Sequence, residues 1–125
     1  MNILRYTDDH EWARLEGDSV TVGITEFAQN QLGELVFVEL PTVGGAVTQG
    51  DEAAVVESVK AAGEVKSPVG GTIMEINESL VDTPEKVNDD PMGEGWIYKV
   101  AITDLTEWDG LMDEAAYAAL VANTS

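Results

Sequence analysis

At 125 residues the chain has the length of one ordinary domain able to bury a core of its own, and residues 1–125 are expected to form a single unit. Against 24 acidic residues stand only 6 basic ones, and the net charge of −18 repels phosphate backbones and anionic lipid, which argues against nucleic acid and membranes as partners. The chain has no cysteine, hence no disulfide or thiolate metal site; its one histidine, His10, cannot build a zinc site, so no metal is expected and any redox sulfur has to arrive on a cofactor.

The opening stretch, MNILRYTDDHEW, has neither the apolar centre of a signal peptide nor the Arg-rich, acid-poor character of a transit peptide. No apolar run approaches the length that spans a bilayer, so a soluble, cytoplasmic protein is expected. Strand-like runs over Glu11–Leu15 and Ser19–Ile24 flank Gly17-Asp18 and predict a hairpin. Thr25 then predicts an N-cap for a short helix through Leu32, with Gly33 as its stop. The run ELVFVEL, Glu34–Leu40, is β-branched and aromatic and ends at Pro41, which predicts a strand with a hard boundary. Turns follow at Gly44-Gly45 and Gly50-Asp51. From Ala53 to Val59 alternation places Ala53, Val55, Glu57 and Val59 on one face and Ala54, Val56 and Ser58 on the other.

After Ala61-Ala62-Gly63 the chain extends again over Glu64–Ser67, is restricted by Pro68, turns at Gly70-Gly71 and resumes strand character over Thr72–Asn77. Thr83-Pro84 predicts an N-cap and first helical position for a brief helix that cannot pass Pro91. WIYKVAI, Trp96–Ile102, predicts the last strand. Asp113 predicts the cap of a C-terminal helix in which Tyr117, Leu120 and Val121 share the face that packs on the sheets.

The glycines follow neither nucleotide-binding spacing, and Ser58 and Ser67 have no histidine near in sequence to activate them. Paired carboxylates are unavoidable with 24 acids, so no pair is marked for acid and base work, and no catalytic residue is assigned. His10 reads as a surface or hydrogen-bonding residue rather than a ligand. Trp12, Trp96 and Trp108 read as core or interface, since a stacking platform for nucleic acid would need positive charge around it. Lys60 is different. If the runs before and after it are arms of one hairpin, it sits near the tip, where Ala61, Ala62 and Gly63 leave the approach open. Lys66 also offers an amine, but lies within the second arm and reads as a strand lysine.

The stretch Glu57-Ser58-Val59-Lys60-Ala61, followed by Ser67-Pro68-Val69-Gly70-Gly71, resembles the lipoyl-attachment motif of the glycine cleavage system H protein family, which is related to lipoyl and biotinyl carrier domains. HEW at His10–Trp12, TVGITEFAQNQLG at Thr21–Gly33, VFVELPTVG at Val36–Gly44, VNDDP at Val87–Pro91 and GWIYKV at Gly95–Val100 resemble successive blocks of the same family, in order. The resemblance implies a mainly β fold with minor α: a flattened, sandwiched barrel of two antiparallel sheets with short helices and a C-terminal helix. It also implies a carrier, not an enzyme. Lipoate would be joined in an amide to Lys60. A pyridoxal-phosphate glycine decarboxylase would load the arm with the aminomethyl group of glycine, a tetrahydrofolate-dependent aminomethyltransferase would unload it, and dihydrolipoyl dehydrogenase would reoxidise it.

By the same resemblance Glu11 and Glu64 would line the cleft in which the loaded arm rests. A cationic cargo is better held there by acids than by open water. Gln31 stands where certain members have a histidine, and it can hydrogen-bond but not titrate near neutral pH. Glu57 would help the lipoate-attaching enzyme recognise the turn. Two other readings stand beside this one. A biotin carrier is disfavoured, because biotinyl turns usually flank the lysine with methionines whereas Val59 and Ala61 do so here. The other is an unmodified β-barrel interaction module.

Overall fold

A computed structural model describes residues 3–124. Its first elements follow from local chemistry. Strand β1 (Ile3–Tyr6) pairs antiparallel with β2 (Glu11–Glu16), and β2 turns through Gly17, at φ 61°, into β3 (Ser19–Ile24). The Thr25 hydroxyl accepts from the Ala28 N–H and caps helix α1 (Glu26–Leu32), which ends at Gly33. The structure thus keeps the expected hairpin and both helix boundaries.

Strand β4 (Leu35–Glu39) is followed by the two-residue β5 (Ala46–Val47), then β6 (Glu52–Ser58), β7 (Ala62–Lys66) and β8 (Gly71–Ile76). After two one-turn helices, α2 (Ser79–Asp82) and α3 (Lys86–Asp89), come β9 (Tyr98–Ile102), α4 (Leu105–Asp109) and α5 (Glu114–Thr124). The strands form two antiparallel sheets: a six-stranded one in the order β1-β2-β3-β9-β8-β5, and a three-stranded one in the order β4-β6-β7. This is the expected mainly β architecture of two sheets with minor helices.

The core lies between the sheets. Of the two faces that alternation gives β6, the one with Ala54 and Val56 is buried, with Val38, Val65, Val69, Ile73 and Val100, while Glu57 on the other face is exposed. Each fully buried valine of this kind contributes about 1.5–3 kcal/mol relative to exposure. A second cluster forms where α5 covers the β1–β2 end: Trp12, Tyr6 and Tyr117 are buried, with Leu120 and Val121 packed beside them. Trp12 and Trp108 are core residues; Trp96 is half-buried beneath the Lys99 ammonium.

One boundary is corrected. Thr83 is not a helix N-cap. It ends α2, a helix the sequence reading did not contain, and its carbonyl, not its hydroxyl, accepts from the Lys86 N–H, so that the next helix starts two residues beyond Pro84. The α2 turn is set up by Asn77, whose amide donates to the carbonyls of Glu94 and Trp96 while its own oxygen accepts from Ser79. Among the described residues no helix is long and apolar enough to cross a membrane.

Candidate functional site

The turn between β6 and β7 is pinned by one side chain. Ser58 donates its N–H to the Ala61 carbonyl at 2.7 Å, and its hydroxyl oxygen accepts from the N–H groups of Ala61 (3.0 Å) and Lys60 (3.3 Å). The hydroxyl also donates to the Ala61 carbonyl at 3.0 Å. With the turn closed this way, Val59 and Lys60 are pushed outward: Val59 is 83% exposed and Lys60 is exposed beside it. Lys60 makes no ion pair among the described residues, whereas Lys66 sits within β7 with its ammonium 3.7 Å from Asp9. The two lysines separate as their positions in the hairpin required.

The Lys60 stem runs past Gly33. A β-carbon there would lie 3.5 Å from Lys60 Cε. Gly33 adopts φ 83°, ψ −163°, a region open in practice only to glycine. Its carbonyl accepts from Asn88 Nδ2, which also donates to Gln29 Oε1, while Asn88 Oδ1 accepts from the Leu35 N–H. Asn88 therefore clamps the link from α1 to β4 beneath the lysine. The sequence reading quoted VNDDP as a block but gave Asn88 no role, because its partners lie more than fifty residues away.

Beside the hairpin, between α1 and the inner ends of β6 and β7, lies a cleft of about 200 Å³. Ile24, Phe27, Ala28, Leu32, Val56, Gly63 and Val65 give it an apolar wall, and Asp9, His10, Glu11, Gln31 and Glu64 furnish the polar groups. Three of the residues expected to line an arm cleft, Glu11, Gln31 and Glu64, thus come together in one place. Glu57 does not join them. It is exposed on the outer face of β6, opposite Ala62 in register and next to the turn.

Glu11 is the most perturbed of the cleft acids. It is 1% exposed; Oε1 accepts from the Thr7 hydroxyl at 2.6 Å and Oε2 from the Lys66 N–H at 3.2 Å. Burial pushes its carboxyl up to about 7 against the opposing pull of those two hydrogen bonds. Glu64 is exposed at the rim and pairs in register with Val55. It also engages Glu52, whose carboxyl is held above its ordinary range by the hydrogen bond and the like charge of Glu64. Glu52 was not singled out in the sequence: its register partner is Lys66, and an irregularity between Glu52 and Ala54 breaks the alternation that a sequence pattern would follow.

A larger hollow of about 360 Å³ lies on the other side of Glu11, lined by Tyr6, Thr7, Gln49, Lys66, Ser67 and Met112 among others. Along β7 the cleft begins three residues from Lys60, or about 10 Å at strand rise, whereas Lys66 in the hollow is six residues away, or about 20 Å. The nearer space is the one a lysine-borne arm reaches first.

A hairpin-tip lysine on a two-sheet flattened barrel, standing beside a cleft, defines a carrier domain of the lipoyl and biotinyl class. The comparisons narrow the class. The glycine cleavage H-protein family model matches residues 4–124. The chain is 56% identical over 117 residues to the glycine cleavage system H protein of Beijerinckia indica, covering 94% of each chain, and 55% identical over 121 residues to that of Parvibaculum lavamentivorans, covering 97% of each. The crystal structure of a glycine cleavage system H protein from Mycobacterium marinum superposes with a TM-score of 0.84 at 38% identity, covering 95% of this chain and 96% of that one. The chain belongs to the glycine cleavage H-protein family, whose members are carriers rather than enzymes.

Proposed function

We propose that Lys60 carries lipoate in amide linkage, that residues 1–125 act as one carrier unit, and that the cleft of Glu11 and Glu64 shelters what the arm carries. Held in amide linkage by Lys60, lipoate would supply a disulfide able to accept an aminomethyl group on one of its sulfurs. The rest is the work of this chain's own residues. Ser58 fixes the turn so that the Lys60 amine stands clear of the sheet, and the small residues Ala61, Ala62 and Gly63 leave room for an attaching enzyme, with Glu57 as the charged group beside the turn that such an enzyme would read.

The apolar wall from Ile24, Phe27 and Val56 excludes water from the resting cargo. Glu11 and Glu64 supply opposite charge to an aminomethyl cation. Because Glu11 holds its proton up to about pH 7 when no cation is near, arrival of the cation drives that proton off, and the ionised carboxylate then pairs with the cargo. Gln31 hydrogen-bonds at the rim without titrating. The partners under this reading are the pyridoxal-phosphate decarboxylase, the tetrahydrofolate-dependent aminomethyltransferase, dihydrolipoyl dehydrogenase and the attaching enzyme. The reading also takes the carrier to be cytoplasmic, alongside them.

The observation that carries the reading is Lys60, exposed and without an ion pair among the described residues, on a Ser58-pinned turn next to an acid-lined apolar cleft. Intact-mass measurement after co-expression with a lipoate-attaching enzyme tests it. One lipoyl adduct is expected, absent from Lys60→Arg and retained in Lys66→Arg. A biotin adduct, or none despite an active enzyme, would sink it.

A further inference from the structure

His10 is held in an unusual way. It is the one non-glycine residue at positive φ among the described residues, at 69°, with its N–H donating to the Thr7 carbonyl and its carbonyl accepting from the Thr25 N–H. Its ring lies 4.5 Å from the Phe27 ring and meets the edge of Tyr117, and Nδ1 is 2.8 Å from the Tyr117 hydroxyl. That hydroxyl is in turn 2.6 Å from the Thr25 hydroxyl, in a buried contact.

The direction of this chain follows from counting protons. Thr25 Oγ1 already accepts from the Ala28 N–H, and its one proton finds only the Tyr117 oxygen among the described residues. In the arrangement that leaves neither hydroxyl proton unused, Tyr117 gives its own proton to the remaining partner, His10 Nδ1. Burial raises the Tyr117 hydroxyl above its ordinary range, and the hydrogen bond with Thr25 opposes that rise. A neutral imidazole that accepts at Nδ1 carries its proton on Nε2. His10 lines the cleft, and with Nδ1 engaged by Tyr117 its Nε2 is the ring nitrogen without a hydrogen-bond partner among the described residues.

We propose that the Thr25–Tyr117–His10 chain fixes His10 as the Nε2–H tautomer and presents that proton in the cleft as a hydrogen-bond donor to a sulfur of the arm. This rests on the lipoyl reading above. The charged groups lining the cleft, Asp9, Glu11 and Glu64, are all acceptors when ionised and suit the cation, whereas a thiolate or thioether sulfur can only accept and is met by a donor. His10 and the acids thereby engage different ends of the same cargo. Tyr117, 107 residues further along on α5, acts as a positioning residue, and α5 sets a proton in the cleft as well as covering the core.

The test uses the one histidine of the chain. A long-range ¹H–¹⁵N spectrum of ¹⁵N-labelled lipoylated protein, taken where the imidazole is neutral, should show a protonated Nε2 and an unprotonated Nδ1. Tyr117→Phe keeps the stack on Tyr6, at 4.5 Å, but removes the hydroxyl. It should give a mixture of tautomers and release the aminomethyl group about three- to tenfold faster, the worth of one hydrogen bond, and His10→Ala should match that acceleration. A native spectrum with the proton on Nδ1 overturns the proposal, as does a Tyr117→Phe variant unchanged in both tautomer and lifetime. If Glu11→Ala shortens the lifetime while Tyr117→Phe and His10→Ala do not, the acid cleft stands and the role of His10 falls. If the chain takes no lipoyl group, the parent reading fails, and the spectrum of the unmodified chain still reports the relay.

Discussion

Glu11→Gln isolates the cost of keeping a carboxylate in the cleft floor. The side chain is 1% exposed, and its carboxyl titrates at about 7 in the fold against an ordinary 4.5. Below pH 4.5 it is protonated in the folded and unfolded chain alike and the burial is inexpensive. Between 4.5 and 7 the unfolded chain gives up the proton and the folded one keeps it, so this residue's contribution to stability declines as pH rises, and above 7 the full penalty is present. The interval from 4.5 to 7, at about 1.4 kcal/mol per pH unit, amounts to about 3 kcal/mol. Glutamine keeps the size and one acceptor oxygen but cannot ionise. It forgoes one of the two bonds now made with Thr7 and the Lys66 N–H, an offset that does not change with pH. Urea unfolding of both proteins at intervals from pH 4.5 to 8 therefore gives a stability difference that moves in favour of Glu11→Gln by about 3 kcal/mol, with the repulsion among the other acids cancelling in the subtraction. A difference that stays flat across that range would refute the burial argument and the proton exchange built on it.

Two glycines carry further expectations. A β-carbon at Gly23 would lie 2.7 Å from the Trp12 indole, which is wholly buried and donates its Nε1–H to the Pro91 carbonyl, so Gly23→Ala should lower the urea midpoint by an amount equivalent to about 1–3 kcal/mol; an unchanged midpoint would mean that the indole yields freely. Gly33→Ala forces a side chain into φ 83°, ψ −163°, so the strained α1–β4 link should cost about 1–3 kcal/mol and, by shifting, slow lipoate attachment, and native-like values of both would argue that the link is not what positions the lysine.

What the sequence made legible was local. Thr25 and Gly33 announced the ends of α1 because capping chemistry is decided within three or four residues, and the two faces of β6 were separable because alternation is local too, although which face points inward was not legible. The short pieces escaped: β1 lies within a stretch read only for its targeting character, two-residue β5 is defined by its pairing with β8, α2 is a single turn with no side-chain cap, and α4, though capped by Asp104, is barely longer than one turn. Lys60 was legible as a reachable amine, and the ordered family blocks gave it a purpose. The burial of Glu11 was not, since a charged residue beside a tryptophan reads equally well as surface. Nor were the Asn88 clamp and the Thr25–Tyr117–His10 chain, whose members meet across 53 to 107 residues and leave no local pattern.

The central claim is that the fold shelters a cation delivered by an arm on Lys60. Hydrolysis of an unsheltered aminomethyl group by one water leaves a thiol, formaldehyde and ammonium, and the formaldehyde can be trapped and counted over time. With the loaded protein held at pH 8, the native chain should release it slowly, the Glu11→Ala and Glu64→Ala variants each several-fold faster, and the urea-unfolded chain fastest. Equal release from the folded and unfolded chains would contradict the account.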